Sequence, residues 1–321
     1  MRSVPFRGSV GSRYLQAPQY EANPALSRNG TDLAEKQSVK TMHQNNQSNA
    51  DCAFMIGSTH LICQDYAIAR NDPTSLYVVV SDGCSSSPDT DIGARLVARA
   101  ASQLISKSLH KEPSVLHREA TRLALNWARE LGLADQSVDA TLLTATLQDE
   151  ELIIGVTGDG VVMIESRQGD IDVFSMSFPN AFPLYPSYAH QPERLEAWKA
   201  NCTSLKEVRQ FRANGPHAEL ELLSTISSVE VTQEIRVDAR EHKLVALMSD
   251  GIHSFYETHD DVTTRHNVSL PMENVISELV GFKSGHGSFV ARRAKQFSKR
   301  SRLIHRQHAD DLAVGAIYLG S

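Results

Sequence analysis

The predicted helices of this chain occur in two adjacent pairs instead of alternating one by one with strands. Amphipathic patterns predict helices over residues 91–109, 113–133, 272–282 and 288–305. Short apolar runs, of which LYVVV and LVALM are examples, predict strands over residues 76–80, 142–147, 152–156, 161–165, 244–248 and 312–318. A doubly wound parallel sheet requires a regular strand–helix alternation, so this order argues against it and favours an α+β fold.

The composition excludes several classes of function. The 321 residues carry 38 acidic and 32 basic side chains, a net charge of −6, so no electrostatic footprint for DNA or RNA is present. No apolar run approaches the ~20 residues that a membrane-spanning helix needs, and we expect no membrane partner. The four cysteines form no CxxC pair, which excludes a zinc ribbon and favours a reducing, cytoplasmic compartment.

Residues 1–50 differ from the rest of the chain. This stretch is polar, is broken by Gly, Pro, Asn and Gln, and lacks sustained periodicity. Its early arginines superficially suit an organelle transit peptide, but it has no convincing amphipathic face, so a disordered tail is the better interpretation. We therefore expect one folded domain over residues 51–321.

Residues 166–240 are the hardest part of that domain to interpret. Several prolines predict an irregular flap or insert, followed by a helical stretch near residues 193–209. The insert also carries four aromatic residues that we expect to be exposed and to form a recognition surface: Phe178, Phe182, Tyr185 and Tyr188. A plain packing role for these side chains is the alternative.

Acidic residues at the ends of predicted strands carry the chemical signal. Two segments, LYVVVSDG and LVALMSDG, each stop at Ser-Asp-Gly, where the glycine allows a sharp turn. The acids at or near strand ends are Asp65, Asp82, Asp159, Asp250, Asp310 and Asp311. Each Asp-Gly alone could simply mark a turn. Together they predict converging oxygen ligands for a hard cation such as Mg²⁺ or Mn²⁺.

The order of these motifs resembles a known family. CQD, SDG followed by a helix, DATLL, GDG, a second SDG and a DD-strand occur in the order of the metal-dependent protein phosphatases of the 2C type. The match is closest to the bacterial branch, whose GxxH signature corresponds to Gly57–His60. The resemblance runs from about Cys52 to Leu319 and implies a four-layer αββα sandwich. In that fold, two mainly antiparallel sheets are flanked by paired helices, and residues 51–321 form the catalytic domain.

The resemblance also implies the site. Asp82 corresponds to the carboxylate that bridges two divalent ions, with the Gly83 carbonyl beside it. Asp250 and Asp310 correspond to the other carboxylates of the binuclear site, and Asp65 to the acid that holds metal-bound waters. In the family, a water bridging the two Mg²⁺ or Mn²⁺ ions attacks the phosphoester directly.

Three further residues extend this implied site. Many bacterial members bind a third ion, for which Asp139 is the candidate ligand and Asp135 the weaker one. His60 is the candidate phosphate-binding residue, and a structural histidine is the equal alternative. Cys84 stands where animal members have a histidine.

We therefore expect a serine/threonine phosphoprotein phosphatase that acts on phosphorylated proteins in opposition to a serine/threonine kinase. The departures at His60 and after Gly83 keep a second hypothesis open, a pseudophosphatase that binds phosphoproteins or a kinase as a regulator. A third is a metal-dependent phosphatase of small molecules. The pair Asp310–Asp311 replaces the family's Asp-Asn, so either acid could be the ligand.

Overall fold

The computed structural model describes residues 48–72, 75–107, 112–179, 182–201, 205–215, 218–260 and 265–320. Its helices are α1 (Thr90–Lys107), α2 (Pro113–Glu130), α3 (Pro192–Asn201), α4 (Met272–Val280) and α5 (Phe289–Leu303). Its strands are β1 (Asn49–Met55), β2 (Asp65–Asp72), β3 (Ser75–Asp82), β4 (Leu142–Gln148), β5 (Glu151–Thr157), β6 (Gly160–Ser166), β7 (Ile171–Ser177), β8 (Lys206–Ala213), β9 (Glu221–Ser228), β10 (Thr232–Asp238), β11 (His242–Met248), β12 (Phe255–Asp260), β13 (Arg265–Ser269), β14 (Arg306–His308) and β15 (Leu312–Tyr318).

Among the described residues, these strands form three antiparallel sheets. The larger has seven strands in the order β1-β15-β11-β6-β7-β8-β9, and the second has five in the order β10-β5-β4-β3-β2. A small sheet, β13-β12-β14, stands apart from both. The strands β1 and β2 are consecutive in the chain but lie at the edges of different large sheets, so the segment between them crosses from one sheet to the other.

The alternation of side chains along each strand builds the layers. Val78 and Val80 of β3 face Val245 and Leu247 of β11 in a buried cluster between the two large sheets. Tyr77 and Val79 point to the opposite face of β3. Because successive side chains of a strand point to opposite faces, a strand that is apolar throughout must be covered on both sides.

The helix pairs supply that cover. Small residues of α1 and α2, Ala98 and Ala124 among them, pack on the outer face of the five-stranded sheet. Val275 of α4 and Phe297 of α5 pack on the outer face of the seven-stranded sheet. The result is helix pair, sheet, sheet, helix pair, which confirms the expected α+β, four-layer αββα sandwich.

The predicted insert is more regular than its prolines indicated. Within residues 166–240, β7, β8 and β9 extend the seven-stranded sheet, and β10 pairs with β5 in the other sheet. The predicted helix near 193–209 is wrong in its second half, where the chain forms β8. Cross-strand pairing overrode local helical propensity there. The aromatic prediction is also partly wrong, because Phe178 and Tyr185 are buried while Phe182 is 69% exposed.

The predicted tail, residues 1–50, lies almost wholly outside the described residues, and β1 begins at Asn49. Among the described residues, no helix combines the length and the apolar character needed to cross a membrane.

Candidate metal centre

The turns that carry the predicted acidic residues meet at one end of the sandwich. Asp82 is the last residue of β3 and lies directly opposite Asp65, the first residue of β2. Asp159 occupies the turn between β5 and β6, and Asp250 begins a short 3-10 turn after β11. Because antiparallel neighbours begin and end at the same edge, distant parts of the chain bring their carboxylates together here.

The turn after β11 packs closely against the start of β15. A Cβ on Gly251 would lie 1.8 Å from the Asp311 carbonyl oxygen, so only glycine permits this approach. The Ser249 N–H donates to the Ala313 carbonyl (3.0 Å), and the Ala313 N–H donates to Ser249 Oγ (2.9 Å). These contacts hold Asp250 beside the Asp310–Asp311 turn.

Three carboxylates form the centre of the site. One oxygen each of Asp82, Asp159 and Asp250 lie within 4.8 Å of one another, and all three residues are partly buried. Burial raises the pKa of Asp82 well above its usual value, and the charges of Asp65 and Asp250 raise it further. Burial and the charge of Asp250 also raise the pKa of Asp159 well above its usual value. The protein therefore holds three mutually repelling carboxylates close together in a partly buried position.

This carboxylate trio (Asp82, Asp159 and Asp250) fits a hard divalent cation. Asp159 Oδ1 is buried and has no hydrogen-bond partner among the described residues. An unpartnered buried oxygen costs free energy, and a cation would both ligate it and neutralise its neighbours. Carboxylate oxygens without sulfur or imidazole are the donors that Mg²⁺ and Mn²⁺ prefer.

Asp65 supports the trio from a buried position. Ser249 Oγ donates a 2.5 Å hydrogen bond to Asp65 Oδ2, and Asp65 and Asp82 are hydrogen-bonded to each other. Burial raises the pKa of Asp65 to about 7, although the hydrogen bonds with Asp82 and Ser249 act in the opposite direction. The cation-free site therefore retains protons close to neutral pH.

Asp310 and Asp311 have different environments. Asp311 is 1% exposed, and its carboxylate accepts hydrogen bonds from the Gly57 N–H (2.7 Å) and the Gln64 N–H (2.6 Å). The side chain of Asp310 is 46% exposed, and burial together with the Asp250 charge raises its pKa. Asp310 Oδ1 accepts one local hydrogen bond, from the Asp311 N–H (2.8 Å), and its half-exposed carboxylate remains accessible to a cation, whereas the buried Asp311 carboxylate binds two backbone N–H groups of the β1–β2 loop. The assignment of Asp310 as a ligand stays a prediction.

The β1–β2 loop (residues 56–64) is fixed against the Asp310–Asp311 turn. A Cβ on Gly57 would lie 2.3 Å from the Ala309 carbonyl oxygen, which explains the glycine of the GxxH signature. The Ser58 N–H donates to the His308 carbonyl (2.9 Å), and the Thr59 N–H donates to the Ala309 carbonyl (3.1 Å). The loop is therefore anchored at the edge of the acidic site.

His60, the predicted phosphate-binding residue, faces the acids from this loop. Its Nδ1 lies 2.9 Å from Asp311 Oδ2 and 3.6 Å from Asp310 Oδ1, in ion-pair contact without hydrogen-bond geometry. Burial opposes protonation, but the contact with Asp311 and the charge of Asp310 raise the pKa of His60. The neighbouring acids thus favour the protonated form of the ring at the rim of the site.

Asp139, predicted for a third ion, lies outside the trio and is paired with an arginine. Arg194 Nη1 donates to Asp139 Oδ1 (2.9 Å) and Nη2 donates to Oδ2 (2.5 Å), while Ser187 Oγ donates to Oδ1 (2.7 Å). Asp135 accepts two hydrogen bonds from Arg129 (2.8 and 2.7 Å). Both acids already face a cationic side chain, so their proposed role with an ion stays a prediction.

Gly83 and Cys84 connect the site to the insert. The Gly83 N–H donates to the Gln64 carbonyl (3.2 Å), and the Cys84 N–H donates to the Asp139 carbonyl (2.8 Å). Burial alone would raise the pKa of the Cys84 thiol, but hydrogen bonds with Ser86 and Tyr185 lower it. The buried Tyr185 thus lies against the residue that follows the Asp82–Gly83 pair.

The sequence places Asp159 among the strand-end acids that should converge on a cation, but it assigns Asp159 no ligand role. The family resemblance instead assigned the third ion to Asp139, the acid of DATLL. The signal for Asp159 is the pattern that LIIGVTGDG shares with the two SDG segments, a buried apolar strand that stops at an acid followed by glycine.

Comparisons with known proteins agree with this architecture. The family model described as protein phosphatase 2C matches residues 57–280. A serine/threonine phosphatase of S. agalactiae superposes with a TM-score of 0.50 at 12% sequence identity, covering 85% of this chain and 99% of that one. This likeness supports the same fold.

Two further solved structures are similar at lower scores. The catalytic domain of the serine/threonine protein phosphatase PstP, in complex with 2 manganese ions, has a TM-score of 0.48 and 12% identity, covering 86% of this chain and 100% of that one. Serine/threonine phosphatase Stp1 from Staphylococcus aureus has a TM-score of 0.48 and 12% identity, covering 87% and 98%. No curated protein sequence matches the chain.

The family model extends over most of the chain, from the glycine of the GxxH signature to the end of α4. It includes both SDG turns and the GDG turn, which the fold brings to one end of the sandwich. The chain therefore belongs to the protein phosphatase 2C family, a family of metal-dependent protein serine/threonine phosphatases.

Proposed function

We propose that this protein hydrolyses phosphoserine and phosphothreonine in phosphorylated proteins by direct attack of water, with two divalent cations held at the acidic end of the sandwich. The observation that carries the proposal is the carboxylate trio, whose oxygens lie within 4.8 Å of one another and include an unpartnered buried oxygen on Asp159. Such a concentration of like charge is costly unless a cation occupies it.

The chain offers a consistent set of ligands. Asp82, the Gly83 carbonyl, Asp250 and Asp310 would hold the two Mg²⁺ or Mn²⁺ ions, as the family resemblance implies. Asp159 rather than Asp139 is the better candidate for a third ion, because it belongs to the trio and Asp139 is bound by Arg194. When bound, the ions activate water for attack on phosphorus and neutralise the phosphoryl oxygens.

The surrounding residues would position the waters, the β1–β2 loop and the phosphate. Asp65 shares a hydrogen bond with Asp82 and is oriented by Ser249, so it would hold metal-bound waters at the edge of the trio, as the family resemblance implies. Asp311 orients the β1–β2 loop and His60 through its buried carboxylate. His60, whose protonated form the neighbouring acids favour, would attract the phosphate from the rim of the site.

The insert is proposed to contribute to substrate choice rather than to the chemistry. Phe182 is exposed on it, whereas Tyr185 reaches Cys84 and Arg194 anchors the segment to Asp139. The protein would act in opposition to a serine/threonine kinase, as its substrate class implies.

The deciding experiment is release of phosphate from a phosphothreonine peptide by the purified protein. We expect release with Mn²⁺ or Mg²⁺, none after EDTA, and loss by orders of magnitude in Asp250→Asn. Release that is indifferent to EDTA would contradict the proposal.

A second candidate function, a phosphoprotein-binding regulator, is favoured by one observation. Nδ1 of His60 faces Asp310 and Asp311 rather than the open site, which weakens the only predicted phosphate contact. Tight binding of the phosphopeptide without any Mn²⁺-dependent turnover would favour this reading.

A further inference from the structure

The tip of the β1–β2 loop exposes large apolar side chains beside the acidic site. Leu61 is 99% exposed and Ile62 is 58% exposed, directly after His60. Two more apolar residues are exposed nearby, Phe54 on β1 and Ile56 at the start of the loop. Exposed apolar side chains gathered in one segment indicate a contact surface, since leaving them in water is unfavourable.

The loop that carries this tip is held in place rather than loose. Its two ends are bound by the same carboxylate, through the Gly57 and Gln64 N–H groups on Asp311. Its backbone is bonded to His308 and Ala309 on one side, and Gln64 accepts from the Gly83 N–H on the other. A rigidly anchored loop loses little conformational freedom when it contacts a partner.

Two arginines of α1 place positive charge near the tip, beyond it from the acidic site. The guanidinium groups of Arg95 and Arg99 on α1 each lie 5.8 Å from the centre of the Tyr66 ring, which packs against Phe54. Arg95 is close enough for its charge to favour the thiolate of Cys63, although burial raises the pKa of that thiol to about 12. Arg95 also faces Asp91 one turn earlier on α1 (Nη1 to Oδ2, 3.8 Å), in a partly exposed pair for which an acidic substrate side chain would compete, and with Arg99 it makes this surface complementary to an acidic side chain.

We propose that Leu61 and Ile62 are specificity-determining residues, which bind a large apolar side chain one or two residues from the phosphorylated residue, with Arg95 and Arg99 accepting an acidic side chain beyond it. The inference rests on the proposed phosphatase function. His60 contacts Asp310 and Asp311 and Leu61 follows it directly, which places the tip beside the acids that a substrate phosphate would approach. The tip begins one residue after His60 and an extended segment advances about 3.3 Å per residue, so the proposal concerns the side chains one or two residues from the phosphorylated residue.

The test compares phosphothreonine peptides in an alanine background, in which a single leucine is moved through the two positions on each side of the phosphothreonine. We expect kcat/KM with Mn²⁺ to be about tenfold higher for the best leucine peptide than for the alanine peptide, mostly through KM. Adding an aspartate beyond the leucine should raise kcat/KM further than adding a lysine, and this difference should vanish in Arg95→Gln/Arg99→Gln.

The double variant Leu61→Ala/Ile62→Ala should reduce the leucine-to-alanine ratio to about one. The matched control is Leu222→Ala/Leu223→Ala, an adjacent exposed apolar pair on β9 at the opposite edge of the seven-stranded sheet from β1. The control should keep the ratio of the wild type. A wild type without preference, or a loop variant that keeps it, would overturn the proposal.

Failure of the phosphatase function is distinguishable from failure of this inference. If no Mn²⁺-dependent turnover occurs, fluorescence anisotropy measures the affinities of labelled leucine and alanine peptides that carry a non-hydrolysable phosphonate. The ratio of these affinities then replaces the ratio of kcat/KM values. Tighter binding of the leucine peptide that depends on Leu61 and Ile62 supports the surface. Equal affinities for the leucine and alanine peptides contradict it.

Discussion

Asp65 and Asp82 lie directly opposite each other on the antiparallel strands β2 and β3 and share a hydrogen bond. Like charges in directly opposed positions of a sheet are destabilising, so this pairing costs stability unless a proton or a cation intervenes. The charge of Asp65 also contributes to the raised pKa of Asp82. The carboxylates at this end of the sandwich therefore need a bound proton or cation to offset their mutual repulsion.

Asp250→Asn should separate stability from activity. Removing one charge from the trio while keeping its shape should leave the metal-free melting temperature unchanged or slightly raised. Binding of Mn²⁺ stabilises the native state by about 2.7 kcal/mol at a hundredfold excess over Kd, so the wild type should melt higher with Mn²⁺ and the variant should not. Calorimetry with and without Mn²⁺, together with phosphopeptide turnover, measures both effects.

Asp149→Asn is the matched control for this change. Asp149 lies between β4 and β5 with φ of 53°, a left-handed turn conformation that asparagine adopts readily. This variant should keep the Mn²⁺ shift and the activity. If Asp250→Asn behaves like Asp149→Asn, Asp250 is only a turn residue and the metal-site assignment fails.

Asp159→Asn and Asp139→Asn should have opposite effects on the metal-free protein. The first removes a repelling charge, so its free energy of unfolding should not fall, but its binding of Mn²⁺ should weaken. The second breaks the ion pair with Arg194 and should lower the free energy of unfolding by about 2 kcal/mol. Isothermal titration with Mn²⁺ and urea unfolding distinguish them, and weakened Mn²⁺ binding in Asp139→Asn alone would restore it as the ligand.

Asp311→Ala should loosen the β1–β2 loop. The Gly57 and Gln64 N–H groups would lose their acceptor, at about 1–3 kcal/mol for each group left buried and unpaired. Asp311→Asn keeps an acceptor oxygen, so it should loosen the loop less than Asp311→Ala does. Limited proteolysis within residues 57–64 reports the loosening, and an unchanged cleavage rate in Asp311→Ala would show that the carboxylate does not hold the loop.

The metal-free protein should lose stability as the pH rises from about 4 to about 7. The pKa of Asp65 is raised from 3.8 to about 7 on folding, so the native state binds more protons than the unfolded state across this window. Asp82, Asp159 and Asp310, whose pKa values are also raised on folding, act in the same direction. Urea unfolding in EDTA across this range measures the slope, and it should be smaller in Asp65→Asn. An equal slope in both proteins would assign the effect to other groups.

A chain that begins at Ser48 should keep the full specific activity on a phosphopeptide. All of β1, from Asn49 to Met55, remains to pair with β15, and the site lies wholly within the described residues. A large loss of turnover on removal of residues 1–47 would show that the tail completes or gates the site.

The sequence alone determined the strands that bury both faces, the helix pairs and the acids that follow Ser-Asp-Gly. These signals are local, since apolar runs and turn residues act over a few positions. The resemblance of the motif order then determined the family and the sandwich. By contrast, β8 and β9 were missed because many of their side chains are exposed, and only the pairing of β8 with β7 and of β9 with β8 makes them strands.

Only the tertiary structure decided which acids share one place. Asp139 precedes β4 and Asp159 follows β5, both at the acidic end of the sandwich. The turn between β5 and β6 brings Asp159 to Asp82 and Asp250, while Arg194 from the insert binds Asp139. Asp310 and Asp311 are neighbours in sequence, yet burial against Gly57 and Gln64 commits one of them to the backbone. Proximity across the sheets and burial arise from packing between distant segments, which no local pattern encodes.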